Sequence, residues 1–125
     1  MIWLLLAACA RDPNAPPSLA YDHVACTHCS MLVSEPRYAA ALVTRAGETL
    51  AFDDAGCLFR YVVENHPSVE HMWFHGEGEA WFTEANVGFT VGGLTPMGSG
   101  LTAVPAGTPG SLSVGEASSR ALEAR

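Results

Sequence analysis

Thr49-Leu50-Ala51-Phe52-Asp53-Asp54-Ala55-Gly56-Cys57-Leu58-Phe59-Arg60-Tyr61-Val62-Val63-Glu64-Asn65 changes its period in the middle, and that change decides the fold class. From Thr49 to Phe52 the residues alternate as in a half-buried strand. Beyond Asp53, Ala55, Leu58, Phe59 and Val62 fall at i, i+3, i+4 and i+7, the stripe of an amphipathic helix. An aspartate just ahead of such a stripe accepts the free N–H groups of the first turn, so Asp53 is the expected N-cap. The helix is expected to end at Asn65, ahead of Pro67. Upstream, Tyr38 to Val43 also alternates, with Tyr38, Ala40 and Leu42 on one face, and Arg45-Ala46-Gly47 supplies the turn of a β-hairpin. Val69 to Phe74 reads as a further strand, which completes a ββαβ unit.

The second half repeats this grammar more weakly. Trp81 to Thr83 and Val87 to Val91 are strand-like, Gly92 to Gly100 is a glycine-rich loop, and Leu101 to Val104 can pair back. Ser113-Val114-Gly115-Glu116 is a capping box that opens a short helix. The repetition is one of pattern, without residue identity. The expected architecture is therefore α+β, two small pseudo-repeated ββαβ-type units sharing a core.

A chain of 125 residues, nearly half of them apolar, has enough material for one such domain, and no apolar run is long enough to span a bilayer as a helix. Thirteen acidic residues face six arginines and no lysine, for a formal charge of -7. That balance leaves no basic face for phosphates, so nucleic acid is not an expected partner. It suits a cationic cargo or a basic patch on a partner protein, and equally a solvated acidic surface.

The soft-donor chemistry is concentrated in Cys26-Thr27-His28-Cys29-Ser30-Met31, which places three sulfur atoms within six residues. Thiolate and thioether together favour Cu(I), because a thioether is a poor ligand for harder ions. Zinc, a thiol-disulfide redox pair and a plain disulfide compete with that reading. A structural zinc site needs a second closely spaced ligand pair, whereas His66, His71 and His75 are scattered and Cys57 stands alone. A redox pair normally opens a helix, and Pro36 makes residues 32–37 a poor one. Cys57, inside the helical stripe, reads as a small buried hydrophobe, and Met72, beside Trp73 and Phe74, reads as core. Met97 differs from Met72 in sitting in Thr95-Pro96-Met97-Gly98-Ser99-Gly100, where little strand or helix surrounds it, so it can complete a site with Cys29 and Met31. His28 is an auxiliary candidate; His23, ahead of the loop, is a weaker one.

At the N-terminus, residues 1–8 form a short apolar run ending in small residues, and Leu6-Ala7-Ala8-Cys9 looks like a bacterial lipobox. The expectation is a lipoprotein signal over 1–8, shorter than a usual secretory signal, a lipid anchor on Cys9, and a proline-rich tether through residue 20.

Taken together, Leu6-Ala7-Ala8-Cys9, Cys26 to Met31, Phe52-Asp53-Asp54 and Thr95 to Gly100 resemble the NosL family, in the same order along the chain. Members of that family are copper-binding lipoproteins of nitrous oxide reductase assembly. The resemblance implies that residues 21–125 form a Cu(I)-binding domain of paired ββαβ units, as also found in the organomercurial lyase family. It implies Cys29, Met31 and Met97 as ligands, with Cys26 as an alternate or transfer ligand. It implies a metallochaperone that faces the periplasm, lipid-anchored to a membrane, with the outer membrane expected. Its partner would be the copper acceptor of the assembly machinery, including the periplasmic subunit of a membrane transporter complex. The chemistry would be ligand exchange and not catalysis; a thiol-disulfide oxidoreductase or lyase-like enzyme using the Cys-x-x-Cys pair is the alternative. Ser30 stands where the family often has glycine, which leaves the ligands intact and restricts the loop.

Overall fold

The computed structural model describes residue 12 and residues 14–123. Leu6-Ala7-Ala8-Cys9, with the expected signal and lipid anchor, lies outside them. Among the described residues no helix is long and apolar enough to cross a membrane.

The chain is an α+β protein built from β1 (Ala40–Thr44), β2 (Thr49–Phe52), α1 (Ala55–Asn65), β3 (Val69–His75), β4 (Trp81–Thr83), β5 (Val87–Val91), β6 (Leu101–Pro105) and α2 (Val114–Glu123). A 3-10 turn, Pro36–Tyr38, precedes β1, so Tyr38 leads into the first strand and is not part of it. The first sheet has the order β2-β1-β3-β4 with antiparallel neighbours. The second is the antiparallel pair β5-β6.

Strand β4 corrects the expected division of the chain. Trp81 to Thr83 pairs with β3, in the register Trp73↔Thr83 and His75↔Trp81, and not with the strands that follow it. The first unit is thereby ββαββ, and the second keeps two strands and one helix. Its capping box forms as expected: Glu116 N–H donates to Ser113 Oγ at 3.2 Å and Ser113 N–H donates to Glu116 Oε1 at 3.2 Å.

Register explains the burial. Ala40 and Leu42 lie opposite Phe52 and Leu50 on one side and Phe74 and Met72 on the other. Alternation therefore sends these residues to one face of the sheet, where Leu58 and Phe59 of α1 join them in the core. Met72 packs against this core as expected. The opposite face buries Ala41, Val43 and Trp73, with Leu19 and Trp81 packed on them, so β1 is covered on both sides.

Three phenylalanines from three elements join the sheets. Phe74 and Phe89 meet edge to face with ring centroids 5.0 Å apart, and Phe59 lies 5.5 Å from Phe74 and 5.8 Å from Phe89. Replacing Phe89 with Ala should lower unfolding free energy by about 3–5 kcal/mol, measured by denaturant titration. A loss below ~1 kcal/mol would show that this ring cluster does not hold the two sheets together.

Candidate metal centre

The segment carrying Cys26 and Cys29 is a tight knuckle. Ala25 and Leu32 form an antiparallel bridge, Cys26 N–H donates to the Met31 carbonyl at 2.7 Å, and Ser30 N–H donates to the Cys26 carbonyl at 2.9 Å. Ser30 has φ 67°, a left-handed conformation that costs a residue with a Cβ and suits glycine. Thr27 N–H donates to the Ala51 carbonyl at 2.8 Å, which docks the knuckle on β2.

The other side of the site is the start of α1. Asp54, one residue later than expected, is the N-cap: its backbone is extended and its Oδ1 accepts Gly56 N–H at 2.8 Å. Asp53 is buried one position before it, with its carboxyl pushed above the usual range by burial and by the charges of Cys26, Asp54 and Glu35. Capping at Asp54 sets the helical phase so that Cys57, in the first turn, faces the knuckle.

The result is a cluster that the sequence did not announce: the sulfurs of Cys26, Cys29 and Cys57 all lie within 4.8 Å of one another. All three are free thiols, Cys26 and Cys57 buried and Cys29 partly exposed. Three sulfurs at this separation can hold one metal ion. Cys57 was expected to be packing material; its sulfur instead sits with the pair.

The electrostatics single out Cys26 as the charged member. Its pKa is lowered to about 5, first by a hydrogen bond from the Cys57 thiol and then by backbone N–H groups of Cys29, Asp53 and His28, against the opposing effect of burial. The Cys29 N–H lies 3.5 Å from the Cys26 sulfur. Cys57 moves strongly upward, because its proton is held in that bond to Cys26, because it is buried, and because the Cys26 thiolate and the Asp54 carboxylate are negative beside it. Burial chiefly raises Cys29, aided by the nearby Cys26 thiolate. One negative charge shared among three sulfurs is an arrangement ready to receive a cation.

A cavity of about 70 Å³ opens beside the cluster, with Cys29, Cys57, His28 and Met97 among its lining residues. Met97, 48 % exposed, is thus brought to the same place as two of the thiols from a loop forty residues further along the chain than Cys57. Met31, 59 % exposed, is not among the residues lining that cavity. His28 contributes an imidazole whose Nε2 is 3.4 Å from Glu64 Oε2 and whose buried Nδ1 has no hydrogen-bond partner among the described residues. The 4.8 Å group itself is made of the three sulfurs alone.

The other four histidines lie outside the thiol cluster. His23 is exposed, with its backbone N–H donated to the Ala20 carbonyl at 3.0 Å; His66 closes α1 in a left-handed conformation, His71 bonds Glu84 and Asn14, and His75 is buried against Trp81. No family model, curated protein or solved structure matches this chain.

Proposed function

We propose that this protein is a Cu(I) metallochaperone, and the observation that carries the proposal is the three-thiol cluster with the Met97 thioether at its cavity. Thiolates bind both zinc and Cu(I), but a structural zinc site takes four nitrogen or sulfur ligands in a closed shell. Here three thiols are accompanied by a thioether, a donor that zinc uses poorly and Cu(I) accepts well. The cargo would be bound by Cys26, Cys29 and Cys57, with Met97 as the neutral donor; Met31, on the exposed side of the knuckle, is available to a transfer step. Partial exposure of Cys29 and Met97 lets a donor from an acceptor protein enter before the last thiolate leaves, so transfer proceeds by ligand exchange. The net negative charge would attract a basic patch on that acceptor.

The resemblance to the NosL family supports a role in supplying copper for the copper-sulfide centre of nitrous oxide reductase. On that reading the acceptor is the periplasmic part of the assembly machinery and the protein is held at the membrane by lipid on Cys9. Cys9→Ser should move the protein from the membrane fraction to the soluble fraction without altering Cu(I) affinity. Continued membrane association would place the anchor elsewhere.

The low pKa of Cys26 favours a second reading, a thiol-disulfide oxidoreductase. Cys26 is only 2 % exposed, however, which obstructs attack on an external disulfide. Anaerobic titration with Cu(I) and Zn(II), each against a competing chelator, separates the readings. The copper reading expects one tightly held Cu(I) that zinc does not displace; disulfide reductase turnover with only weak Cu(I) binding would favour the second.

A further inference from the structure

Asp54 has more to do than cap a helix. Its side chain is fully buried, and its two oxygens are committed in different directions. Oδ1 accepts the Gly56 N–H and the Ser99 hydroxyl; Oδ2 accepts the Met97 N–H at 3.1 Å. Ser99 Oγ in turn accepts the Leu101 N–H at 3.2 Å, and Thr95 Oγ1 accepts the Gly100 N–H at 3.1 Å, which closes the loop on itself. Gly56 completes the junction, since a Cβ there would lie 2.7 Å from the Ser99 Cβ.

We propose that the Asp54 carboxylate is the positioning group of the metal site: it fixes the first turn of α1, and with it Cys57, and it holds the Met97 loop at the same cavity. A burial cost this large is sustained because the carboxylate receives three hydrogen bonds. Those bonds direct both oxygens at the first turn of α1 and at the loop, so the role assigned to Asp54 is exerted through Met97 and Cys57. The inference rests on the copper reading and adds to it a residue that no donor-atom argument would select.

Asn at position 54 keeps one oxygen for Gly56 N–H but presents an amide N–H₂ to a neighbouring donor, so the loop loses an anchor. In the full-length protein, Cu(I) affinity should fall about 10- to 100-fold in Asp54→Asn and by a similar factor in Met97→Leu. The double variant should be no weaker than the weaker single one, because both remove the same donor. With ¹³C-methyl-labelled methionine, the Met97 methyl resonance should shift on Cu(I) addition in the unmodified protein and stay still in Asp54→Asn. A purely structural role for Asp54 would lower the melting temperature without breaking that response. Ser99→Ala, which removes one bond of the latch and leaves the cap, provides the same comparison where Asp54→Asn does not fold, with a smaller loss expected. Unchanged affinity with a responsive Met97 methyl in these variants, or losses that multiply in the double variant, would overturn the latch while leaving the copper reading in place. Failure of the unmodified protein to bind Cu(I) would overturn the copper reading itself, and the latch's role with it.

Discussion

Cys57→Ala should weaken Cu(I) binding by about three powers of ten, or ~4 kcal/mol, although Cys57 lies outside the Cys-x-x-Cys motif. Two effects act in the same direction. The variant removes one of three sulfurs that lie within 4.8 Å of one another, and it removes the thiol proton that contributes most to holding Cys26 ionised. The Cys26 pKa should then rise toward the ordinary thiol range, visible as a loss of thiolate ultraviolet absorbance at neutral pH in the metal-free protein. The fold should suffer little, because one sulfur is lost from a buried position, a cost of about 1 kcal/mol. Competition against a Cu(I) chelator measures the first effect. Affinity within threefold of the unmodified protein would return Cys57 to the role of packing residue.

Cu(I) affinity should climb with pH between about 6 and 8 by roughly two powers of ten per unit. The sign follows from the protons lost. Cys26, lowered to about 5, is already a thiolate across this range and releases none. Cys29 and Cys57, both raised, are thiols and each must lose a proton when they become ligands. Two protons released make binding stronger as pH rises, with a limiting slope of about two. Cys57→Ala brings Cys26 back toward an ordinary thiol as it removes one releasing group, so its slope should differ from the unmodified protein only in so far as Cys26 ionises over the range. Cys29→Ser leaves Cys26 ionised and should reduce the slope to about one. A flat profile in the unmodified protein would mean that neither raised thiol binds as a thiolate.

The first half of the fold was legible because its apolar period switches from two to 3.6 between Phe52 and Ala55, a change that tolerates little other interpretation. The cap lies one residue beyond the place the sequence suggests because Asp53 and Asp54 carry the same side chain; only the extended backbone at 54 and its bond to the Met97 loop distinguish them. Trp81 to Thr83 was recognised as a strand but its partner was not, since antiparallel pairing with β3 is set by packing across the sheet and not by proximity to β5. Cys57 was obscured by its own surroundings. A cysteine among Leu58, Phe59 and Val62 satisfies the helical stripe, so packing alone accounts for it in the sequence. The available signal was its place in the first turn after an aspartate pair, together with two thiols elsewhere that lacked a third partner. The exposure of Met97 was legible for the opposite reason, because proline and glycines around it offer little to pack against.

The sulfur arrangement also bears on how such a site would hold a metal ion. Cys26 sits at the bottom of the knuckle with backbone N–H groups directed to its sulfur, whereas Cys29 and Met97 are reachable from outside. A buried thiolate that anchors and outer donors that exchange would give tight holding without a closed shell. Everything proposed for the site turns on which atoms surround the metal. X-ray absorption at the copper edge of the anaerobically loaded full-length protein reads those atoms directly. The expected result is reduced copper in a shell of sulfur scatterers, losing one sulfur in Cys57→Ala; a shell dominated by nitrogen or oxygen, or one unchanged in Cys57→Ala, would rule out the three-thiol site.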